Sequence, residues 1–282
     1  MAIILDGKKL RDKIIANLSG EIAGFEIKPK LAVILVGDDP ASHIYVNNKK
    51  RIAQQIGITS EIITYPQSVT EDEILSKINE LNNDGSTDAI LVQLPLPKHI
   101  NSNRIIAEIS PFKDVDGFTP YNFSKLFCGQ KPIVYPCTPN GILLLLKEYG
   151  IDVEGKNVVV AGRSVIVGRP MAQMLLNKNA TVTICHSYTK NLEQITKTAD
   201  IVVSAVGKNI IKGEMLKNNS VVIDVGIFKD EYGKLRGDVD FDSSSKIASY
   251  ITPVPGGVGP MTIASLMLNT VELYKLSHNI NN

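Results

Sequence analysis

Short β-branched runs alternate along this chain with helix-length amphipathic segments. The pattern predicts strands at 31–36, 61–65 and 89–94, then a second set at 157–161, 181–185, 201–206, 221–225 and 249–252. Strands separated by helices imply parallel α/β sheets, since a parallel neighbour needs a crossover long enough to hold a helix. Several helix ends are legible. Asp39 stands where an N-cap belongs, Pro40 follows at the first helical position, and Gly57 supplies a left-handed stop. Thr70 and Glu73 form a capping box for a helix over 71–82. Thr138 and Pro139 open a helix over 141–149 that Gly150 closes, and a last helix covers 262–275. Residues 230–237, with Gly233 among them, read as a hairpin or a loop insertion, and 277–282 form a polar tail. The stretch 111–136 is rich in turn residues and poor in periodicity. The domain boundary is therefore placed there, giving two α/β domains, 1–120 and 121–282. Whether the last helix (262–282 with its tail) packs back on the first domain stays open.

Composition narrows the class of protein. Of the 282 residues 44% are apolar and 21% charged, with a net charge of +1. That balance belongs to a globular chain and carries no basic footprint for nucleic acid. The opening MAIILDGKKLRDK lacks a charged n-region ahead of an apolar run, so a secretory signal is not expected. The central apolar run 142–146 is too short to span a bilayer. Three cysteines, Cys128, Cys137 and Cys185, are odd in number and widely spaced. They argue against a disulfide framework or a zinc site and fit a reduced cytoplasm. No metal, membrane or nucleic-acid partner is expected.

The second half carries a nucleotide signal. In VVVAGRSVIVGRP a strand runs into a glycine turn and then a helix. Gly162 permits the tight turn, Gly168 permits close backbone approach to a pyrophosphate, and the helix opening near Arg169 and Pro170 aims its amides at the anion. The spacing departs from G-x-G-x-x-G, and an ordinary strand-to-helix turn has the same appearance. The following strand ends Ile184-Cys185-His186-Ser187-Tyr188, without the carboxylate that holds a ribose 2′-hydroxyl in NAD sites. With Arg163 in the turn, the pattern favours a 2′-phosphate and hence NADP. The alternative is that Arg163 and His186 are solvated surface residues.

The first half offers candidate chemistry. Ser42, Tyr45 and Lys49 recur at i, i+3 and i+7 and share one helix face. A desolvated lysine there suits acid–base work, although spacing alone favours a solvated face. Gln93 is a polar residue at the carboxyl end of an apolar strand, where open α/β sheets place their sites, and a structural hydrogen bond accounts for it equally well. Lys113-Asp114-Val115-Asp116-Gly117-Phe118 is a turn with two carboxylates. One of them could grip an amidine-like edge such as that of a pterin, or the turn could simply be capped. In 253–262 three prolines and three glycines fix an unusual backbone path, suited to a flat ligand or to a stiff connector.

Seven stretches, SHIYVNNK, LVQLPLP, KDVDGF, YPCTPNG, GRSVIVGRP, VIDVGI and YITPVPGGVGPMT, occur in this order. In this the chain resembles the bifunctional methylenetetrahydrofolate dehydrogenase/cyclohydrolase family from about Leu5 to about Tyr274. The resemblance implies an N-terminal catalytic domain, a C-terminal Rossmann-like NADP domain, a folate cleft between them and a homodimer paired through the NADP domains. It implies Lys49 as acid/base, Tyr45 stacking on the substrate, Gln93 tuning Lys49 and Asp116 anchoring the pterin, with Pro255, Gly256 and Gly257 near the folate. It assigns Gly162, Arg163 and Ser164 to the NADP phosphates, Ser187 to the 2′-phosphate and Ile227 to the nicotinamide side. A monofunctional dehydrogenase of the same fold and a non-enzymatic NADP-binding regulator are the competing readings. The first sits poorly with Tyr45, Lys49 and Gln93 together, and the second leaves Lys49 and Asp116 without a purpose.

Overall fold

In the computed structural model, which describes residues 1–280, the first set of strands forms a three-stranded parallel sheet in the order Thr59–Tyr65, Lys30–Val36, Ala89–Val92. The central strand, KLAVILV, is buried along nearly its whole length. Successive side chains of a strand point to opposite faces, and a parallel strand covered on both faces reads as a continuous apolar run. Accordingly Leu31, Val33 and Leu35 enter one core with Leu18, Ile22 and Leu91, while Ala32, Ile34 and Val36 enter another with Ile74, Ile78 and Ile105. The helix Glu71–Asn83 feeds the second core through Ile74, Ile78 and Leu81, one helical turn apart each. Its capping box is formed: Thr70 N donates to Glu73 Oε2 at 2.8 Å and Glu73 N donates to Thr70 Oγ1 at 3.3 Å.

The second set forms a six-stranded parallel sheet in the order Ile3–Ile4, Tyr250–Ile251, Val221–Asp224, Ile201–Ser204, Asn157–Ala161, Thr181–Cys185. Its strands at 201–204 and 221–224 are fully buried. The hairpin pairs Phe228–Lys229 with Leu235–Arg236 across Gly233, whose φ of +77° suits glycine. The two-residue strand Ile3–Ile4 and the helix Gly7–Ala23 were not among the expected elements.

Two compact units result, one of Met1–Asp12 with Thr138–Thr262, the other of Lys13–Cys137 with the chain from Ile263 on. By this division the chain changes unit at 137/138, later than the expected 120/121. The turn-rich stretch after Pro111 belongs to the first sheet's unit because long-range bonds hold it there. Asp114 bridges Ile90, and Val115 and Val134 enter the core with Leu31 and Leu91. The last helix, Val258–Ser277, contributes Leu266, Met267, Val271 and Leu273 to that same core. It starts ahead of the expected Thr262, since Pro260 is tolerated in a first helical turn. Residues 281 and 282 of the polar tail lie outside the described residues.

Candidate active site

The helix Pro40–Gln55 begins at the expected cap, where Asp39 Oδ2 accepts from both Ser42 N and Ser42 Oγ at 2.8 Å. Ser42 is therefore buried and spent on the cap, which removes it from the polar face read in the sequence. Tyr45 is exposed and Lys49 half-buried, one turn further on. Lys49 Nζ donates to Gln93 Oε1 at 3.0 Å. Gln93 in turn donates Nε2 to Leu94 O at 2.6 Å, and its backbone N donates to Ile34 O at 2.9 Å. With its amide nitrogen committed, Gln93 can only present oxygen to the lysine, so the network fixes the side chain's orientation.

The two carboxylates of the turn separate by role. Asp114 is buried and accepts from Phe118 N at 3.1 Å, Thr119 N at 2.7 Å and Asn122 Nδ2 at 2.9 Å, so it shapes the turn. Asp116, half-buried, takes no part in those bonds, and its side chain hydrogen-bonds with Cys137. Burial raises its carboxyl above the ordinary range, and the positive charge of Lys49 opposes that rise. Beneath it lies Cys137, whose thiol is pushed well above its usual range by burial and by the Asp116 charge. Asn269, on the last helix, donates Nδ2 to Val115 O at 2.8 Å, Tyr135 O at 2.9 Å and Cys137 Sγ at 3.4 Å. Gly117 has φ +70°, and a Cβ there would fall 2.9 Å from the Tyr135 carbonyl carbon. Sequence reading assigned no part to Cys137 or Asn269. The available signal was a lone asparagine in the apolar run Leu266–Val271, since a buried amide must find partners.

In the other unit, the glycine turn is built as its sequence requires. Gly162 has φ +120°, donates N–H to Cys185 O at 2.8 Å, and has no room for a Cβ against Ala205 O. Gly168 packs directly on the Gly162 carbonyl. Ser164 Oγ accepts from Val167 N at 3.2 Å and Gly168 N at 3.4 Å, which starts the helix Gly168–Leu176. Its hydroxyl proton is left to donate. Among the described residues the amides of Arg163, Ser164, Val165 and Ile166 have no protein acceptor. Such a row at a helix N-terminus fits a phosphate. Arg163 is exposed with its guanidinium 5.8 Å from the centre of the Tyr188 ring, and Ser187 is exposed beside it in sequence. A nucleotide carrying a 2′-phosphate fits this donor set.

Ile227 is also exposed, just past the strand Val221–Asp224. The loop Pro255-Gly256-Gly257 lies in this unit as well and not in that of Lys49 and Asp116. It is tied to the start of the first helix, with Lys8 N donating to Gly256 O at 3.0 Å, and Gly256 has φ +113°. Among the described residues there is no cluster of ligands suited to a metal ion and no helix long and apolar enough to cross a membrane.

A doubly wound sheet with a phosphate-ready glycine turn, together with a tethered lysine and a half-buried carboxylate in a second α/β unit, defines a two-domain nicotinamide-nucleotide enzyme. Residues 5–116 match the catalytic domain of tetrahydrofolate dehydrogenase/cyclohydrolase, and residues 136–278 match the NAD(P)-binding domain of the same family. The chain belongs to that family. It is 56% identical over 281 residues to the bifunctional protein FolD of Ligilactobacillus salivarius, covering 98% of each chain. It is also similar to the solved FolD methylenetetrahydrofolate dehydrogenase/cyclohydrolase of Campylobacter jejuni, with a TM-score of 0.96, 49% identity and 98% and 99% of the two chains covered. The Trypanosoma brucei enzyme, solved with NADP cofactor and inhibitor, matches with a TM-score of 0.94 at 37% identity over 98% of each chain.

Proposed function

We infer that this chain oxidises 5,10-methylenetetrahydrofolate with NADP and hydrolyses the methenyl product to 10-formyltetrahydrofolate. The observation that carries the reading is the Lys49–Gln93 bond on the helix that presents Tyr45, in a unit that also holds Asp116. When bound, NADP supplies the acceptor for the hydride leaving the one-carbon bridge. Gly162, Arg163 and Ser164 would hold its phosphates, Ser187 its 2′-phosphate, and Ile227 would pack on the nicotinamide side. On the folate side, Asp116 takes the amino-pyrimidine edge of the pterin and Tyr45 stacks on the substrate. In hydrolysis, water adds to the methenyl carbon and gives one proton to Lys49. The carbon–nitrogen bond then breaks as the carbinol oxygen gives up its remaining proton and becomes the formyl carbonyl; the departing nitrogen takes one proton and the other is released to solvent. Gln93 holds Lys49 in place and, being an acceptor, does not compete for that proton.

The preference for NADP over NAD is supported by Arg163 and by the absence of a carboxylate after the strand Thr181–Cys185. A homodimer paired through the nucleotide units is supported by the same strand, which pairs on one side only and exposes Ile184. Sedimentation checks it. A cytoplasmic location is supported by three cysteines kept as thiols.

The test is spectroscopic. Methylenetetrahydrofolate and NADP should yield reduced nucleotide together with a transient methenyl absorbance that decays faster than in buffer. No nucleotide reduction would sink the reading. Reduction with methenyl that persists at the buffer rate would remove the hydrolytic half.

A further inference from the structure

Two buried carboxylates that play no part in the chemistry above, Asp224 and Asp238, interlock at the carboxyl ends of two neighbouring strands of the nucleotide sheet. Asp224 ends the strand Val221–Asp224. Its Oδ1 accepts from Asp238 N at 2.8 Å and Gly226 N at 3.1 Å, and its Oδ2 accepts from Val239 N at 3.0 Å. Asp238 reaches the neighbouring strand. Its Oδ2 accepts from Val206 N at 2.6 Å and Ser204 Oγ at 3.0 Å, and its Oδ1 accepts from Lys208 N at 2.9 Å. Each carboxylate fills a space that only glycine leaves open. A Cβ at Gly226 would collide with Asp238, and one at Gly237 would collide with Asp224.

The arrangement is expensive for a purely structural one. Both side chains are almost completely buried, at 4% and 0% exposure, and their carboxyl oxygens meet backbone amides and the Ser204 hydroxyl in place of a lysine or arginine. A site needing only stability would fill such a volume with apolar groups, which carry no desolvation cost. What the pair secures is the path of two loops, Ala205 to Lys208 and Val225 to Ile227. Both leave the carboxyl ends of parallel strands, the edge at which doubly wound sheets bind their ligands. Both loops hold an apolar side chain outward, Val206 at 37% exposure and Ile227 at 46%. A flat heteroaromatic ring needs such a platform, and the platform is only as precise as the loops that carry it.

We propose that Asp224 and Asp238 are positioning residues for the nicotinamide half of the nucleotide, acting by fixing Val206 and Ile227. The proposal rests on the NADP reading above. Neither carboxylate bonds to the glycine turn around Gly162, which holds the adenosine half and meets the first loop only at Ala205, ahead of the amides that Asp238 ties down, so the two halves of the ligand should respond differently.

The experiment compares binding of NADP and of adenosine 2′,5′-bisphosphate, which lacks the nicotinamide half, to the full-length protein by calorimetry. Asp238→Asn keeps shape and loses an acceptor, leaving a buried amide unsatisfied. NADP affinity should fall roughly 5- to 100-fold, the range for one such amide, with adenosine 2′,5′-bisphosphate affinity unchanged. Dehydrogenase KM for NADP should rise to match, while hydrolysis of supplied methenyltetrahydrofolate keeps its kcat. Ser204→Ala, which removes one of the three bonds to Asp238, covers the case in which Asp238→Asn does not fold, and it should shift NADP affinity the same way by less. Unchanged NADP affinity in the variant that folds overturns the proposal, as does an equal loss for both ligands. Failure of the wild-type protein to bind either ligand would instead overturn the NADP reading and the proposal with it.

Discussion

At the scale of single residues the proposed hydrolysis turns on Lys49. Hydride transfer needs the donor and acceptor carbons aligned, and the bound ligands set much of that alignment. Hydrolysis also needs a titrating group to take the proton of water. Lys49→Met keeps length and helix propensity and removes the proton carrier. The variant should fold, bind NADP and lose methenyl hydrolysis by roughly the 10²–10⁴-fold typical of general acid–base groups. Dehydrogenase loss should be smaller, and assaying the half-reactions separately reads the difference. Asp116 leads to a prediction in pH. Its carboxyl is raised above the ordinary 3.8 by burial, so the ionised form of this proposed anchor disappears at a higher pH than for a surface aspartate. Folate KM should therefore climb as pH falls through the raised value, and Asp116→Asn should flatten that limb while weakening folate binding at every pH. A profile that is unchanged in the variant would assign the limb to another group. The division of labour between Asp114 and Asp116 could not be read from KDVDGF, because both stand in one turn. What separates them is Asn122 and the amides of Phe118 and Thr119, all of which face Asp114 alone. Ser42 was misplaced for a similar reason, since helical spacing fixes a face and not whether the hydroxyl bonds back to its cap.

At the scale of elements, buried parallel strands were the most legible feature. The segment 157–161 falls where its apolar run puts it, because a strand covered on both faces has few polar positions to blur its ends, and the edge strand 181–185, largely exposed, is marked by its β-branched residues alone. Ends that run into a site were read too long: the strand at 89 stops at Val92, ahead of Gln93, whose side chain turns to Lys49. The glycine turn shows sequence and geometry in closest agreement, with Gly162 and Gly168 each occupying a space too tight for a Cβ. Its exposed Arg163 gives a cofactor prediction. Arg163→Ala should weaken NADP by about 1–3 kcal/mol, the value of a charge-assisted hydrogen bond, and leave NAD nearly unchanged. Steady-state kinetics with both nucleotides measures it, and an equal loss with NAD would show that the arginine does not serve the 2′-phosphate.

At the scale of the whole molecule, the chain changes unit at 12/13, 137/138 and 262/263, each time inside a helix. Turn composition marks where a chain bends, not where it changes partners, and so the turns of 111–136 lie within one unit. The evidence for the actual division is non-local: Ile3 pairs with Tyr250, and the last helix meets strands that lie near the start of the sequence. This makes the last helix a test of the division. Met267 and Leu273 are fully buried in the core that holds Leu31 and Leu91. Met267→Ala should cost about 2–5 kcal/mol, the usual loss for a large apolar side chain cut back in a core. Because cooperative units open together, that loss should accelerate amide exchange across Lys30–Val36 and leave Asn157–Ala161 at its wild-type protection. Native-state hydrogen exchange with residue resolution reads both strands in one experiment. Loosening at 157–161 with 30–36 unaffected would mean that the last helix belongs to the nucleotide unit after all, and equal loosening of both would mean that the two units unfold as one.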